Sequence, residues 1–195
     1  MRAMIRSLTV ICLCAGLVAC AETSTSPTLP SLTFAHQPLI RLAVDRIDLV
    51  NEYRMPLKAP NVEHALPVAP GPAVERWSVD ILRAVGGPGR AVLVILNGAV
   101  TETKLKKQTG LKGTFTVDQS EKYDAVVEAR LEILDDANKR LAEISATVQR
   151  SRTVSEDSSP NQRTRLQYEL VEALMNDYDT AMRDRAARYL SKWLR

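Results

Sequence analysis

Residues 123–133 read Tyr-Asp-Ala-Val-Val-Glu-Ala-Arg-Leu-Glu-Ile, and this stretch decides the fold. Apolar side chains occupy every odd position from Tyr123 to Ile133, and charged side chains occupy most of the even positions between them. Strict alternation of this kind places one face of a strand against a core and the other face in solvent. The stretch therefore predicts a half-buried β-strand.

The residues that follow extend this strand into a hairpin. Ile144, Ala146 and Val148 again alternate with polar residues. Between the two alternating stretches, residues 135–138 read Asp-Asp-Ala-Asn, which is turn chemistry because Asp and Asn side chains bond to the nearby backbone. Residues 121–152 therefore predict an antiparallel hairpin. Paired aspartates also occur in catalytic and cation sites, but the turn explains them here, and we assign no catalytic or metal-binding residue.

A long helix is predicted after the hairpin. Ser159 is the expected N-cap, Pro160 the first helical residue, and Gln162 completes a capping box. Apolar residues then follow at helical spacing: Leu166, Leu170, Leu174, Tyr178, Met182, Tyr189 and Trp193. We predict a helix over residues 160–194. At 1.5 Å per residue it is about 50 Å long, so it must bend over the sheet or project beyond it.

Residues 90–105 predict a strand upstream of the hairpin. Residues 92–96 are all apolar, which is typical of a strand covered on both faces. Asn97-Gly98 could form a tight hairpin turn. Apolar residues nevertheless occupy even-numbered positions on both sides of Gly98, as one uninterrupted strand would require. They are Val92, Val94, Leu96 and Val100. We favour one continuous strand, with the hairpin as the alternative.

The first half of the domain contributes one strand and one helix. Residues 38–52 predict a strand. Its apolar residues change from even-numbered to odd-numbered positions part-way along, so we expect an irregularity near Asp45-Arg46. Residues 56–72 hold five prolines and predict a stiff, extended crossover. A helix is expected from Pro72, ended by the glycines at 86–89. Its apolar face is formed by Val74, Trp77, Ile81 and Val85.

The predicted fold class is α+β, with the element order β-α-β-β-β-α. We expect a two-layer sandwich in which two helices cover one face of a sheet of about four, mainly antiparallel, strands. The sheet and helices form a single domain over residues 38–195.

The first 19 residues are predicted to be a leader for export. A positive start with Arg2 and Arg6 leads into an apolar run of about 12 residues, which is too short to cross a bilayer. Leu17-Val18-Ala19-Cys20 follows and resembles the lipobox of bacterial lipoproteins. The resemblance implies that the Cys20 thiol receives a diacylglyceryl group, that cleavage follows Ala19, and that the new amine is acylated. An ordinary secretory signal with a chance cysteine is the alternative.

Residues 20–37 are predicted to be the lipidated cysteine and a flexible tether. The segment is small, polar and interrupted by prolines. Residue 21 is Ala rather than Asp, and the resemblance therefore implies sorting to the periplasmic face of the outer membrane. Without the leader, 24 basic residues face 23 acidic ones, a formal charge of +1. A charge this close to zero does not indicate the excess of Lys and Arg that nucleic-acid binding requires.

Two basic segments are candidate membrane or partner contacts. The first is a loop with Lys104, Lys106, Lys107 and Lys112. The second is the end of the long helix, with Arg185, Arg188, Lys192 and Trp193. Positive charge also stabilises the C-terminus of a helix through its dipole, which is the structural alternative for the second segment.

The lipobox, the tether, the element order over about 38–194 and the Glu75-Arg76-Trp77 start of the first helix resemble accessory lipoproteins of the bacterial envelope. These are the lipopolysaccharide-assembly lipoprotein and the auxiliary lipoproteins of ABC-type lipid transport. The resemblance implies a non-enzymatic accessory protein that works in an envelope complex without a cofactor. A membrane-tethered hydrolase and a structural envelope lipoprotein are the alternatives. The sequence identifies no small-molecule ligand.

Overall fold

The computed structural model of the protein describes residues 29–105 and 119–195. The strands are β1 (Ile40–Leu42), β2 (Arg46–Asn51), β3 (Leu82–Ala84), β4 (Arg90–Asn97), β5 (Val100–Lys104), β6 (Gln119–Leu134) and β7 (Arg140–Ser155). The helices are α1 (Pro70–Ile81) and α2 (Pro160–Tyr189), and a 3-10 turn spans Glu63–Ala65. No helix in these two ranges is long and apolar enough to cross a bilayer.

The main sheet is mixed, whereas the sequence predicted a mainly antiparallel one. β4 and β5 both pair antiparallel with β6, and β7 pairs antiparallel with β6 on its other side. β2, however, pairs parallel with β4, and β1 pairs parallel with β3 in a separate small sheet. The crossover and α1 separate these partners, and a strand that returns through a helix runs parallel to the first. The α+β class and the two helices are confirmed.

The hairpin is longer than predicted, and the strand before it is interrupted. β6 and β7 have 16 residues each. β4 faces residues 128–134 of β6 and β5 faces residues 121–125, so the two strands lie end to end and form no hairpin. A Cβ atom at Gly98 would lie 2.9 Å from the backbone nitrogen of Gly71. Gly98 therefore lets the start of α1 approach the sheet.

Both helices end earlier than predicted, and α1 begins two residues before the expected Pro72 without a side-chain cap. α1 starts at Pro70 and stops at Ile81, because Leu82–Ala84 form backbone hydrogen bonds with β1. Val85, predicted on its buried face, is 45% exposed. α2 has the expected capping box between Ser159 and Gln162 but ends at Tyr189. Its last turns are replaced by a tail, residues 190–195, that folds back onto β1.

The Pro-rich crossover holds a buried acid that the sequence analysis did not single out. Glu63 Oε1 accepts a hydrogen bond from the Tyr53 hydroxyl at 2.6 Å, and Glu63 Oε2 accepts one from the Val100 amide at 3.1 Å. Burial by itself raises the pKa of Glu63, but these bonds, with others from the Glu63 backbone and Asn61, hold it below its usual value. The carboxylate fastens the crossover to the start of β5.

The irregularity expected near Asp45-Arg46 lies between β1 and β2, and a glycine loop compensates for it. Ile40 pairs with Leu82 and Arg46 pairs with Arg90, so the partner strand contains two extra residues in between. Gly86, Gly87 and Gly89 take up this length with positive φ angles. A Cβ atom at Gly87 would lie 2.6 Å from the carbonyl oxygen of Ala43.

We expect Gly89→Ala to lower the free energy of unfolding by about 3 kcal/mol, and Gly86→Ala by about 1 kcal/mol. Both glycines have positive φ, but a Cβ atom at Gly89 would overlap the carbonyl oxygen of Leu134, whereas nothing lies within 4 Å of one at Gly86. Urea unfolding of both variants tests this expectation. Equal losses would mean that the close approach to Leu134 is unimportant.

We expect Glu63→Gln to lower the free energy of unfolding by about 2 kcal/mol at neutral pH. Because the pKa of Glu63 is depressed in the fold, its contribution is complete above the usual carboxyl value of about 4.3 and is lost as the pH falls below that value. The difference in the free energy of unfolding between wild type and Glu63→Gln should therefore become smaller at acidic pH. Urea unfolding at a series of pH values measures this difference. Glu52→Gln, at an exposed neighbouring carboxylate, is the control and should change the free energy of unfolding by less than about 0.5 kcal/mol at neutral pH.

Candidate functional site

The residues predicted for cleavage, lipidation and membrane or partner contact fall into three groups. Ala19, Cys20, Lys106, Lys107 and Lys112 lie outside the described residues. Lys104 is exposed at the end of β5. Arg185, Arg188, Lys192 and Trp193 lie at the end of α2 and in the tail, where the three basic side chains are exposed and Trp193 is partly exposed.

The structure keeps Lys104 away from the C-terminal group. Lys104 lies opposite Glu121 in the register of β5 and β6. Glu121 forms an ion pair with Arg163 in the first turn of α2. Arg185 follows Arg163 by 22 residues on the same helix, a separation of about 33 Å at 1.5 Å per residue. Lys104 and the C-terminal group therefore do not form one surface.

The tail is held against β1 by backbone hydrogen bonds. The Ala43 amide donates to the carbonyl oxygen of Trp193 at 2.8 Å, and the Arg195 amide donates to that of Arg41 at 3.1 Å. Lys192 Nζ lies 5.5 Å from the centroid of the Trp193 ring, a cation–π distance. The tail therefore presents an aromatic ring and positive charge beside β1.

The paired strands β1 and β3 place two arginines side by side. Arg41 of β1 and Arg83 of β3 are direct partners in the parallel register, and both are exposed. Their buried neighbours Ile40 and Leu82 point into the core. With Arg195 bonded to β1 on its other side, arginines occupy three adjacent segments.

A buried cluster links the two helices beneath this end of the molecule. Trp77 Nε1 of α1 donates to Asp179 Oδ1 of α2 at 2.8 Å, and Arg183 Nε donates to Asp179 Oδ2 at 2.8 Å. The Trp77 ring meets the Tyr178 ring edge to face, with centroids 5.0 Å apart. Burial and the nearby Asp179 charge raise the pKa of Tyr178, so its hydroxyl stays neutral.

A polar cleft of about 590 Å³ lies beside the cluster. His36 and Gln37 line one wall, and α2 lines the other with Asn176, Asp179, Thr180, Arg183 and Asp184. Both carboxylate oxygens of Asp179 already accept hydrogen bonds from Trp77 and Arg183. This carboxylate is therefore committed to joining the helices.

The N-terminal segment is fastened to α1 by another carboxylate. Asp80 Oδ2 accepts hydrogen bonds from the Phe34 amide at 2.8 Å and the Thr33 hydroxyl at 2.9 Å. Burial by itself raises the pKa of Asp80, but these bonds and Arg76 hold it below its usual value. Phe34, predicted in the flexible tether, is only 3% exposed and packs in the core. The chain therefore joins the domain before residue 38.

Sequence reasoning missed the residues that organise this end of the molecule. Asp179 and Arg183 have i, i+4 spacing, which signals an ion pair on a helix surface but not a bond to Trp77, 102 residues earlier. Arg41 and Arg83 become neighbours only through strand pairing. No local pattern contains either relationship.

Comparisons with known proteins find weak similarity to solved structures of bacterial lipoproteins. No family model and no curated protein matches the chain. Among solved structures it is similar to rare lipoprotein B from Shewanella oneidensis, at 10% identity over 74% of this chain and 96% of that one, with a TM-score of 0.38. It is also similar to a minor lipoprotein from Acinetobacter baumannii, at 14% identity over 76% and 96%, with a TM-score of 0.36. The functional assignment therefore depends on the residues of this chain.

We expect Asp179→Ala to lower the free energy of unfolding by about 3 kcal/mol, because the buried indole N–H of Trp77 and the Arg183 guanidinium both lose their acceptor. Asp184→Ala, on the exposed surface of the same helix, should change it by less than about 0.5 kcal/mol. Urea unfolding followed by tryptophan fluorescence measures both. Similar values for the two variants would contradict a joining role for Asp179.

Proposed function

We propose that the protein is a non-enzymatic lipoprotein, anchored through Cys20 to the periplasmic face of the outer membrane. In this proposal it is an accessory component of outer-membrane assembly or of ABC-type lipid transport, and it acts by contact with an envelope complex. The observation that carries the proposal is the Leu17-Val18-Ala19-Cys20 motif directly after a short apolar run. Thioether attachment of diacylglycerol with a further acyl chain would give an anchor far stronger than one chain provides.

The way the chain enters the domain supports a tethered role. Residues 20–28 precede the described segment, and Asp80 fixes the chain at Thr33 and Phe34. Thirteen extended residues between Cys20 and Thr33 reach at most about 45 Å. An anchored domain would therefore stay near the bilayer while its surfaces remain available to a partner.

The buried carboxylates of the domain support contact rather than catalysis as its role. Glu63 fastens the crossover, Asp80 fastens the N-terminal segment, and Asp179 joins the helices. In the hairpin turn, Asp135 Oδ1 accepts the Lys139 amide and Asp136 Oδ1 accepts the Gly89 amide. Each of these groups has a structural partner that accounts for its position.

We expect Cys20→Ala to abolish lipid attachment and to release the protein from the membrane fraction, because the thiol is the acceptor of the diacylglyceryl group. Labelled palmitate incorporation and intact-mass measurement test this in cells. Cys14→Ala is the matched control, since this cysteine lies within the leader and should leave labelling unchanged. An unmodified Cys20, or a mature protein that retains residues 1–19, would contradict the proposal.

The accessory role has a separate test. The wild-type protein, cross-linked in intact cells and captured from solubilised membranes, should recover components of an envelope assembly or transport complex. Recovery of the lipidated protein without any such component would leave the anchor in place but contradict the accessory role.

A further inference from the structure

The arginines that lack an acidic partner gather at one end of the molecule. Most described arginines form ion pairs, such as Arg90 with Asp48 and Arg150 with Asp177. Those in residues 29–105 and 119–195 for which the structure gives no ion pair are Arg41, Arg54, Arg83, Arg185, Arg188 and Arg195. All but Arg54 lie on β1, on β3, at the end of α2 or in the tail.

The helix dipole explains only part of this gathering. Arg185 and Arg188 lie near the C-terminus of α2, where positive charge is favourable. Arg41 and Arg83 are on strands and gain nothing from a helix end. They are direct cross-strand partners of like charge, an arrangement that destabilises a sheet unless an anion lies nearby. The pair therefore indicates a negatively charged binding partner.

Apolar side chains accompany these arginines. Leu39 is 40% exposed and stands two positions before Arg41, and Val85 stands two positions after Arg83. Side chains two apart on an extended chain share a face, so each apolar residue lies on the side of its arginine. Trp193 lies partly exposed on the adjoining tail. Positive charge mixed with aliphatic and indole side chains is typical of surfaces that sit at the headgroup level of a bilayer.

We infer that this face, formed by Leu39, Arg41, Arg83, Val85, Trp193 and Arg195 and called here the arginine face, binds the anionic headgroups of the membrane to which the domain is tethered. The inference rests on the proposed lipid anchor. Phe34, where the chain joins the domain, precedes Arg41 by seven residues, so the face lies within about 25 Å of that point. The anchor would hold the face at high local concentration near the headgroups.

The test uses the lipidated full-length protein reconstituted into vesicles of brominated phosphatidylcholine, with or without phosphatidylglycerol. The protein has two tryptophans, and Trp77 is fully buried, so lipid quenching reports on Trp193. We expect stronger quenching on the anionic vesicles. It should be lost in the Arg41→Gln/Arg83→Gln variant and kept in the charge-matched Arg54→Gln/Lys58→Gln variant, whose residues are exposed beyond the far end of β2. Trp193→Phe should remove the signal.

Salt gives a second measurement that does not depend on a variant. About 1 M salt shortens the screening length to roughly 3 Å, so it should abolish the extra quenching on anionic vesicles while the protein still floats with them. Equal quenching on both lipids, or retention of the signal in the Arg41→Gln/Arg83→Gln variant, would overturn the arginine face. An arginine-dependent cross-link to a protein without lipid quenching would overturn it as well. Failure to float with neutral vesicles would instead contradict the lipid anchor.

Discussion

The carboxylate of Asp179 is the interaction on which the helical layer depends. It receives the indole N–H of Trp77 from α1 and the guanidinium of Arg183 from α2, both at 2.8 Å. α1 packs over the β2–β4 side of the sheet and α2 over the β6–β7 side, so this group joins the two halves of the layer. The tail that follows α2 is held separately, by backbone hydrogen bonds to β1.

Local patterns predicted the elements whose structure is decided by near neighbours. The alternation from Tyr123 to Ile133 gave β6 because every second side chain meets the same core. The capping box of Ser159 and Gln162 gave the start of α2 because its bonds close within three residues. Helical spacing also placed Trp77 on the apolar face of the first helix, and Trp77 is fully buried together with Val74 and Ile81.

Pairing between distant segments could not be predicted in the same way. Helical spacing continued from Ile81 to Val85, yet backbone hydrogen bonds to β1 drew Leu82–Ala84 into a parallel strand. The tail is a similar case, because Leu194 pairs with Leu42 while its own sequence favours helix. The hydrogen bonds that hold the buried Glu63 carboxylate come from Tyr53 and Val100, on either side of the crossover. Each outcome depends on a partner far away in sequence, which periodicity does not reveal.

The same long-range pairing explains why a nearly neutral chain contains a strongly basic surface. Total charge is a poor guide to what a surface attracts, because at physiological ionic strength charges act over a screening length of about 8 Å. Adjacent strands lie about 4.8 Å apart, so Arg41 lies within one such length of both Arg83 and the Arg195 segment. The small sheet therefore does more than close the core. It brings together positive charge from three separate parts of the sequence, at the end where the N-terminal segment enters the domain.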